Sequence, residues 1–419
     1  MLIEFSVTNF RCIREKMTLS LVASADRHDR DLHVFPAENG KLNLLSAAAV
    51  YGPNAAGKST LIKALHMMQR MVMGSAKDSQ EGEPIEAFQP FLLAEQTRNG
   101  PGEFEVVFIQ NQVRYQYGFS LDRHRIHGEW LFASPEGHTQ QWFQRNYDPD
   151  RDETTWYFGP NFKGPKKIYQ ASTRANALFL STAIMLNNAP LKPVFEWFQN
   201  HLRVLPSNHL YPGFTIKLIM ERDRKQDILK FMKALDLNFL DIQVEKISPE
   251  KISFPPQLKA EEKEQFLALF KDGLLEAKFF QQIPGEEAYP LDLLDLSEGS
   301  QKLFGLAGPL FDILEKGMVL FVDELHNSLH HAATEFLIKL FRLKTNPHHA
   351  QLLFSTHDTS FLHAKHLRRD QIWFLERLGE DLSSKLTPLS DIHARKNEQF
   401  EKSYLNGRYG ALPFLGSLD

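Results

Sequence analysis

The stretch at residues 52–60 reads Gly52-Pro53-Asn54-Ala55-Ala56-Gly57-Lys58-Ser59-Thr60. It fits the pattern G-x-x-x-x-G-K-[ST], which is typical of a loop whose backbone N–H groups cradle phosphate. An apolar run at residues 44–51 (LLSAAAVY) precedes it and predicts a buried strand. Apolar residues at helical spacing follow over residues 59–73 and predict a helix. The order strand, loop, helix therefore favours a phosphate-binding loop over a glycine turn with a solvated lysine.

The residue types of this loop assign roles within a nucleotide site. Lys58 can reach the β- and γ-phosphates, and the Ser59 hydroxyl can complete the coordination of Mg²⁺. The glycines let N–H groups turn inward around phosphate oxygens, and the start of the helix adds partial positive charge. The sequence therefore predicts ATP and Mg²⁺ as cofactors, with a nucleotide-binding set of Gly52, Asn54, Ala55, Ala56, Gly57, Lys58, Ser59 and Thr60.

An acidic motif lies far downstream of the loop. Residues 318–322 (MVLFV) predict an apolar strand, and Asp323 and Glu324 follow it directly. An acid at a strand end can hold Mg²⁺, which assigns Asp323 to the metal, and Glu324 can polarise the attacking water as a general base. Strands that end in two solvated acids are common, but together with Lys58 upstream this pair favours ATP hydrolysis.

Residues 296–302 (LSEGSQK) resemble the signature motif of ATP-binding-cassette ATPases, in the version of SMC-like and RecF-like proteins. Glu298 and Ser300 depart from the transporter form of that motif. The resemblance implies that the Ser297 hydroxyl and the Gly299 backbone hold the γ-phosphate of a nucleotide bound by the other protomer. The alternative is an ordinary helix start that Ser297 caps.

A histidine follows another apolar strand-like run. In residues 352–358 (LLFSTHD), His357 resembles the switch histidine that contacts the γ-phosphate in the same ATPases. Residues 327–330 (NSLH) resemble their D-loop, which lines a dimer interface. His326 and His330 have the i, i+4 spacing of metal-binding pairs. The D-loop resemblance accounts for this segment and no third ligand is apparent, which argues against zinc.

The first residues of the chain extend the resemblance. FSVTNFR at residues 5–11 resembles the start of SMC-like and overcoming-lysogenization-defect-like ATPases, which implies that Arg11 approaches the nucleotide phosphates. A glutamine ahead of the antiparallel segment is also implied, as a metal ligand beside Ser59 and Asp323. Gln89 is the candidate for it, and a plain loop glutamine is the alternative.

The order of these motifs resembles an SMC/ABC-like AAA-family ATPase of bacterial anti-phage defence, of the RloA-like, AbiL-type and PARIS-type ATPase subunits. The likeness covers residues 1–165 and 280–419, including the tail YLNGRYGALP at 404–413, and the middle only loosely. It implies a homodimer or higher homo-oligomer that closes around ATP and controls a separately encoded effector, a nuclease or toxin. We expect no fused TOPRIM nuclease, because the chain ends soon after the cassette.

Composition and charge exclude several other classes. The chain has 419 residues, with 48 Lys and Arg against 52 Asp and Glu, and its net charge of −4 argues against a protein that coats nucleic acid. Its single cysteine, Cys12, excludes an intrachain disulfide and a cysteine-based zinc site. We expect a cytoplasmic protein without membrane segments, because no signal-peptide pattern and no apolar run of about 20 residues is present.

The remaining periodicities complete the predicted fold. Strand patterns predict two strands within residues 2–22 and an antiparallel meander over 104–142, followed by a polar loop region at 146–168. Helical spacing predicts helices within 170–204, 225–235 and 261–270. The fold class is therefore α/β, an ABC/SMC-like P-loop ATPase head with an antiparallel β subdomain and a mostly helical insertion.

These patterns predict three parts and leave alternative functions open. Residues 1–165 form an N-terminal ATPase lobe, 166–285 a mostly helical insertion, and 286–419 a C-terminal lobe with the signature, acidic pair, D-loop and switch histidine. A DNA-repair or DNA-structure ATPase that acts directly on DNA is the alternative; the near-neutral charge and the missing coiled-coil arm count against it, and nucleic acid binding stays open. A regulatory scaffold with little turnover is the third interpretation.

Overall fold

The structure is a computed structural model that describes residues 1–205, 212–247, 274–282, 284–285, 287–363, 366–392 and 399–412. The strands are, in chain order, β1 (Leu2–Thr8), β2 (Met17–Ser20), β3 (Val34–Ala37), β4 (Leu42–Leu45), β5 (Ala47–Tyr51), β6 (Gly102–Gln110), β7 (Val113–Leu121), β8 (Ile126–Ser134), β9 (Gln140–Asp148), β10 (Glu153–Phe158), β11 (Leu202–Leu205), β12 (Asp241–Ile247), β13 (Leu274–Gln281), β14 (Tyr289–Asp292), β15 (Val319–Val322), β16 (Gln351–Thr356), β17 (Ile372–Arg377) and β18 (Ser384–Pro388).

The helices connect these strands and are named by their residues. The α-helices are Arg30–His33, Lys58–Gly74, Glu95–Arg98, Lys166–Ser172, Phe179–Met185, Lys192–Glu196, Gly213–Arg222, Lys225–Ala234, Glu298–Lys316, His331–Leu340 and Phe400–Leu405. A π-helical turn spans Trp197–His201. The 3-10 turns are Glu38–Gly40, Leu293–Asp295, Thr359–Phe361 and Arg369–Gln371. The helix predicted within residues 261–270 lies outside the described residues.

The strand that leads into the phosphate loop lies inside a mostly parallel sheet. The strand order is β11-β15-β16-β5-β17-β18, and only β18 runs antiparallel to its neighbour. Every residue of β5, β15 and β16 is buried, as expected of strands covered on both faces. The predicted strand at 44–51 is divided at Ser46, because β4 pairs with β3 in a separate two-stranded sheet.

A second sheet of seven antiparallel strands carries the predicted meander. Its order is β10-β9-β8-β7-β6-β1-β2, so the two predicted N-terminal strands extend the meander at one edge. The loop predicted at 146–168 is partly wrong, because β10 forms the other edge. Only every second residue of β10 is shielded, and Trp156 and Phe158 pack against Phe179. The residues on its other face are exposed, so the sequence of β10 lacks the apolar pattern that would have predicted a strand.

The described chain divides into two compact units. The first comprises Met1–Ser207, Ile313–His326 and Leu337–Asp419, and it contains the parallel sheet and the seven-stranded sheet. The second comprises Asn208–Asp312 and Asn327–Phe336, and it contains a three-stranded antiparallel sheet, β12-β13-β14. The α/β fold with an antiparallel subdomain is confirmed. The described residues of the predicted insertion at 166–285 contain more helix than strand, and those before residue 208 belong to the first unit; the small sheet was not expected.

No helix among the described residues is both long enough and apolar enough to cross a membrane.

Candidate nucleotide site

The phosphate loop joins β5 to the helix Lys58–Gly74 through a backbone that requires glycine. At Gly52, a Cβ would lie 2.2 Å from the Leu375 carbonyl oxygen of β17. Gly57 has φ +112°, and a Cβ there would lie 2.7 Å from Ser384 Oγ and 2.8 Å from Cys12 Sγ. Both glycines of the motif are therefore needed for the packing of the loop against its neighbours, in addition to any role toward phosphate.

The Lys58 side chain lies back over the loop that precedes it. Its Nζ donates to the carbonyl oxygens of Gly52 at 2.8 Å and Pro53 at 3.2 Å. Burial lowers the pKa of the Lys58 ammonium, while the charges of Glu324 and Asp323 act to raise it. A lysine ammonium has three donors, so the two carbonyl bonds leave one for an acceptor such as a phosphate oxygen.

The acidic pair follows β15 and is oriented from the neighbouring strand. The Ser355 hydroxyl of β16 donates to Asp323 Oδ1 at 2.6 Å and accepts from the Glu324 N–H at 2.8 Å. Asp323 is buried, whereas the Glu324 side chain is 26% exposed. Glu324 has a left-handed backbone with φ 50°. Sequence reasoning missed Ser355, although its place two residues before His357 is a usable signal.

Two histidines lie next to the Glu324 carboxylate. His357 Nδ1 is 3.6 Å from Glu324 Oε2, and His326 Nε2 is 4.0 Å from the same oxygen. The two rings are edge to face, with His326 Nε2 3.1 Å from His357 Nδ1. The structure therefore brings Glu324 and His357 together, and it adds His326.

This arrangement corrects the sequence argument about metal ligands near His326. His330, its expected partner, belongs to the second unit, where its Nδ1 accepts from the Ala332 N–H at 3.2 Å. The His326–His330 pair gains no third ligand among the described residues, but a different set is present: Glu324, His326 and His357 offer ligand atoms that lie within 4.8 Å of one another. Glu324 and His326 are close in sequence but His357 comes from the next strand of the sheet, which explains why spacing did not reveal the set.

Arg11 and Gln89 are brought together through their backbones. The Arg11 N–H donates to the Gln89 carbonyl oxygen at 2.7 Å, while the Gln89 side chain is exposed. The turn that contains Arg11 lies against the phosphate loop: the Cys12 carbonyl accepts from the Ser384 N–H at 2.8 Å, and Ser384 Oγ donates to the Ala56 carbonyl at 2.6 Å. These contacts place the backbone of Arg11 beside the loop.

Ser297 and Gly299 lie in the second unit, at the start of the helix Glu298–Lys316. Ser297 Oγ accepts from the Ser300 N–H at 3.2 Å, which is the contact of an N-terminal cap. A Cβ on Gly299 would lie 2.7 Å from the Ser328 carbonyl oxygen, so the predicted D-loop packs closely on the signature segment. This cap is the alternative that the sequence left open for Ser297. Contact of Ser297 with a nucleotide of a second protomer stays a prediction.

A cavity of about 800 Å³ opens beside the first residues of the phosphate loop. Gly52, Pro53, Asn54 and His357 line one side of it. The other residues come from β17, the turn after β16 and the tail, namely Thr359, Glu376, Arg377, Tyr404, Leu405, Gly407, Gly410, Ala411 and Leu412. The sequence singled out the tail without assigning it to the site. Tyr404 holds it in place, because its hydroxyl donates to the Ala411 carbonyl at 2.8 Å.

Comparison with known protein families gives one match. The profile described as "AAA domain, putative AbiEii toxin, Type IV TA system" matches residues 47–363, from the start of β5 past the switch histidine. The match therefore includes the phosphate loop, the signature segment and the acidic pair. No curated protein matches the chain at a significant level.

SMC head domains are among the solved structures that resemble this chain over most of its length. The SMC head domain from Thermotoga maritima is 16% identical, covers 92% of this chain and 98% of its own, and has a TM-score of 0.43. An Smc head bound to the C-terminal winged-helix domain of ScpA is 12% identical. The match covers 93% of this chain and 99% of that head, with a TM-score of 0.44. A head with an extended coiled coil, bound to a ScpA domain and described as derived from Pyrococcus furiosus, is 11% identical, with 93% and 97% covered and a TM-score of 0.39. These likenesses are loose, and the fold assignment rests on the sheets and loop described above.

Proposed function

The chain belongs to the AAA-domain family whose description names an AbiEii toxin of a type IV toxin–antitoxin system, and we propose that it binds and hydrolyses Mg²⁺-ATP. The observation that carries the proposal is the meeting of three motifs in the first unit. Lys58 of the phosphate loop is close enough to Glu324 and Asp323 for their charges to act on its pKa, and His357 is 3.6 Å from Glu324.

Mg²⁺ fits the oxygen donors at this site. The Ser59 hydroxyl and the Asp323 carboxylate are the hard ligands that Mg²⁺ prefers, and the Ser355 hydroxyl holds Asp323 in orientation. When bound, the ion neutralises charge on the β- and γ-phosphate oxygens. Gln89 is the third proposed ligand of this shell; its backbone carbonyl accepts from the Arg11 N–H, and its side chain is exposed.

Hydrolysis in this proposal is an in-line attack of water on the γ-phosphorus. Lys58 directs its remaining ammonium donor toward the phosphates and stabilises their charge. Glu324 accepts the proton of the attacking water, a new P–O bond forms, and the bond to the β-phosphate oxygen breaks to give ADP and phosphate. His357 donates toward the γ-phosphate. Arg11 lies in the N-terminal turn whose backbone packs beside the loop, and its side chain reaches the phosphates from there.

We further propose that two protomers close around ATP. Ser297 and Gly299 of one protomer then face the γ-phosphate held by the loop of the other, at a helix start where N–H groups favour anions. The lobes at 1–165 and 286–419 both contribute to each composite site. The resemblance to defence ATPases and the toxin–antitoxin wording of the family description support a separately encoded effector, a nuclease or toxin, that is released or held according to nucleotide state.

The test separates binding, hydrolysis and assembly. Glu324→Gln should retain ATP binding, lower turnover by about 100-fold or more, and accumulate an ATP-bound dimer in light scattering, because the amide cannot accept a proton. Lys58→Ala should lose ATP binding. Glu81→Gln, an exposed glutamate of the same unit, is the matched control. Wild-type turnover in the Glu324→Gln protein would overturn the role of Glu324, and salt-dependent binding of DNA ends by the isolated protein would favour the DNA-acting alternative.

A further inference from the structure

Glu324, His326 and His357 form a three-residue cluster that the proposed ATPase reaction does not fully use. We propose that this cluster binds a transition-metal ion of the Zn²⁺ class, and that the bound ion inhibits ATP hydrolysis by engaging the Glu324 carboxylate. The inhibitory half of this proposal rests on the proposed function; the binding half does not. The family resemblance assigns no role to His326.

The distances within the cluster fit a tetrahedral ion. Zinc bonds of 2.0–2.2 Å to nitrogen and oxygen require ligand atoms that are separated by about 3.3–3.6 Å. His326 Nε2 lies 3.1 Å from His357 Nδ1, His357 Nδ1 lies 3.6 Å from Glu324 Oε2, and His326 Nε2 lies 4.0 Å from Glu324 Oε2. The observed separations bracket the required range. His326 Nε2 is also 3.1 Å from His357 Nε2 and the rings are edge to face, so the His357 ring must rotate to direct one nitrogen at the ion.

The donor set selects the class of metal. Two imidazoles and one carboxylate, with a fourth position open, are the ligands of catalytic zinc sites, and imidazole favours Zn²⁺, Co²⁺ or Ni²⁺ over Mg²⁺. The other ring nitrogen of His326 is already engaged, since Nδ1 lies 2.9 Å from Thr356 Oγ1. Metal-binding histidines usually have such a partner, because it fixes the ring so that the free nitrogen faces the ion.

The backbone presents the cluster from two adjacent buried strands. β15 and β16 are parallel neighbours, with Val322, the last residue of β15, opposite Phe354, two residues before the end of β16. Glu324 is fixed by its N–H bond to Ser355 Oγ, and the His326 side chain is only 12% exposed. The His357 side chain is 56% exposed, which gives an ion access from solvent. Two ligands are thus held in place and the third is free to adjust.

Metal binding has a direct consequence for the proposed reaction. A carboxylate that donates an electron pair to Zn²⁺ is a poor base, so Glu324 can no longer accept the proton of the attacking water. His357 is withdrawn from the γ-phosphate at the same time. We therefore expect Zn²⁺ to lower turnover while leaving the phosphate loop free to bind ATP.

The first experiment measures binding without nucleotide. The full chain is titrated with ZnCl₂ by calorimetry, and Co²⁺ is used as a spectroscopic probe of tetrahedral coordination. His326→Asn and, separately, His357→Asn should weaken Zn²⁺ binding by 10-fold or more. His330→Asn is the matched control, because it lies in the same sequence segment but outside the cluster. Because the His357 side chain is 56% exposed, we expect its substitution to leave the fold intact, so equal Zn²⁺ affinity in wild type and both variants overturns the site.

The second experiment measures inhibition. With Mg²⁺-ATP present, Zn²⁺ should inhibit wild-type turnover, and a chelator should restore it. The turnover of each protein is expressed relative to its own rate without Zn²⁺. On that scale, the Zn²⁺ concentration that halves turnover should be about 10-fold or more higher in His326→Asn than in the wild type. Zn²⁺ that binds the cluster without changing turnover overturns the inhibitory role. A chain that binds Zn²⁺ but shows no ATPase activity under any condition retains the metal site and refutes the proposed function, so the two failures are distinguishable.

Discussion

Two glutamates of the first unit, Glu129 and Glu324, have opposite surroundings. Glu129 of β8 has an exposed fraction of 0%, and its carboxylate accepts from Tyr117 Oη and from the N–H groups of Phe179 and Leu180. Arg145 completes this buried set, with its Nη2 3.0 Å from Glu129 Oε2. Every lone pair direction of Glu129 is therefore occupied by protein donors.

Glu324 is held by its backbone and left open at its carboxylate. Its N–H is bonded to Ser355, but Oε2 lies 3.6 and 4.0 Å from the nearest ring nitrogens of His357 and His326. A carboxylate without saturated hydrogen bonds remains able to accept a proton or bind an ion. The saturated carboxylate of Glu129 is available only for stability, whereas the carboxylate of Glu324 is free of hydrogen-bond donors from the described residues and suits the chemical role that we propose for it.

The largest expected effect tests the structural half of this comparison. Glu129→Ala should lower the free energy of unfolding by about 3–5 kcal/mol, because it leaves the Arg145 charge buried without its partner. Urea denaturation of the purified protein measures this change. Glu153→Ala, at an exposed position of edge strand β10, is the control and should change stability by less than about 0.5 kcal/mol. A Glu129→Ala protein as stable as the control would contradict the assignment.

An intermediate effect is expected at the residue that joins the two acids of the site. Ser355→Ala removes the hydroxyl that contacts both Asp323 and the Glu324 N–H, so we expect turnover to fall by about 10-fold or more and the Mg²⁺ concentration for half-maximal turnover to rise. Ser46→Ala is the matched control, because Ser46 is equally buried and its Oγ has no hydrogen-bond partner among the described residues. An unchanged Mg²⁺ requirement would reduce Ser355 to a packing role.

The smallest expected effect concerns a buried histidine remote from the site. Burial lowers the pKa of His33 from 6.5 to about 4. The unfolded chain therefore binds a proton in the window between these values that the folded chain does not bind, and stability must fall as pH decreases from about 6.5 to 4. His33→Gln should flatten this part of the profile of Tm against pH, while His124→Gln, at an exposed turn, should leave it as in the wild type. Parallel profiles for the wild type and His33→Gln would refute the linkage.

Much of the fold follows from patterns that are local in sequence. The phosphate loop, the buried strands before Gly52 and Asp323, and the meander are each specified by a contiguous motif or by short-range periodicity, and the structure has all of them. Edge strand β10 and the small sheet of the second unit escaped prediction. In these strands only one face is covered by the protein, so shielded and exposed residues alternate without a strong apolar pattern. Hydrogen bonds and side-chain contacts with the neighbouring strands stabilise them instead.

The sequence by itself determined the phosphate loop and the acidic pair, because a phosphate loop needs glycine, lysine and a hydroxyl at adjacent positions, and an acidic pair needs only the end of one strand. Tertiary structure alone decided which side chains meet. Ser355 orients the acids only because β16 lies beside β15, and His326 joins Glu324 and His357 only because the turns after these two strands converge. Such contacts depend on strand order in the sheet, a long-range property that spacing along the chain does not encode.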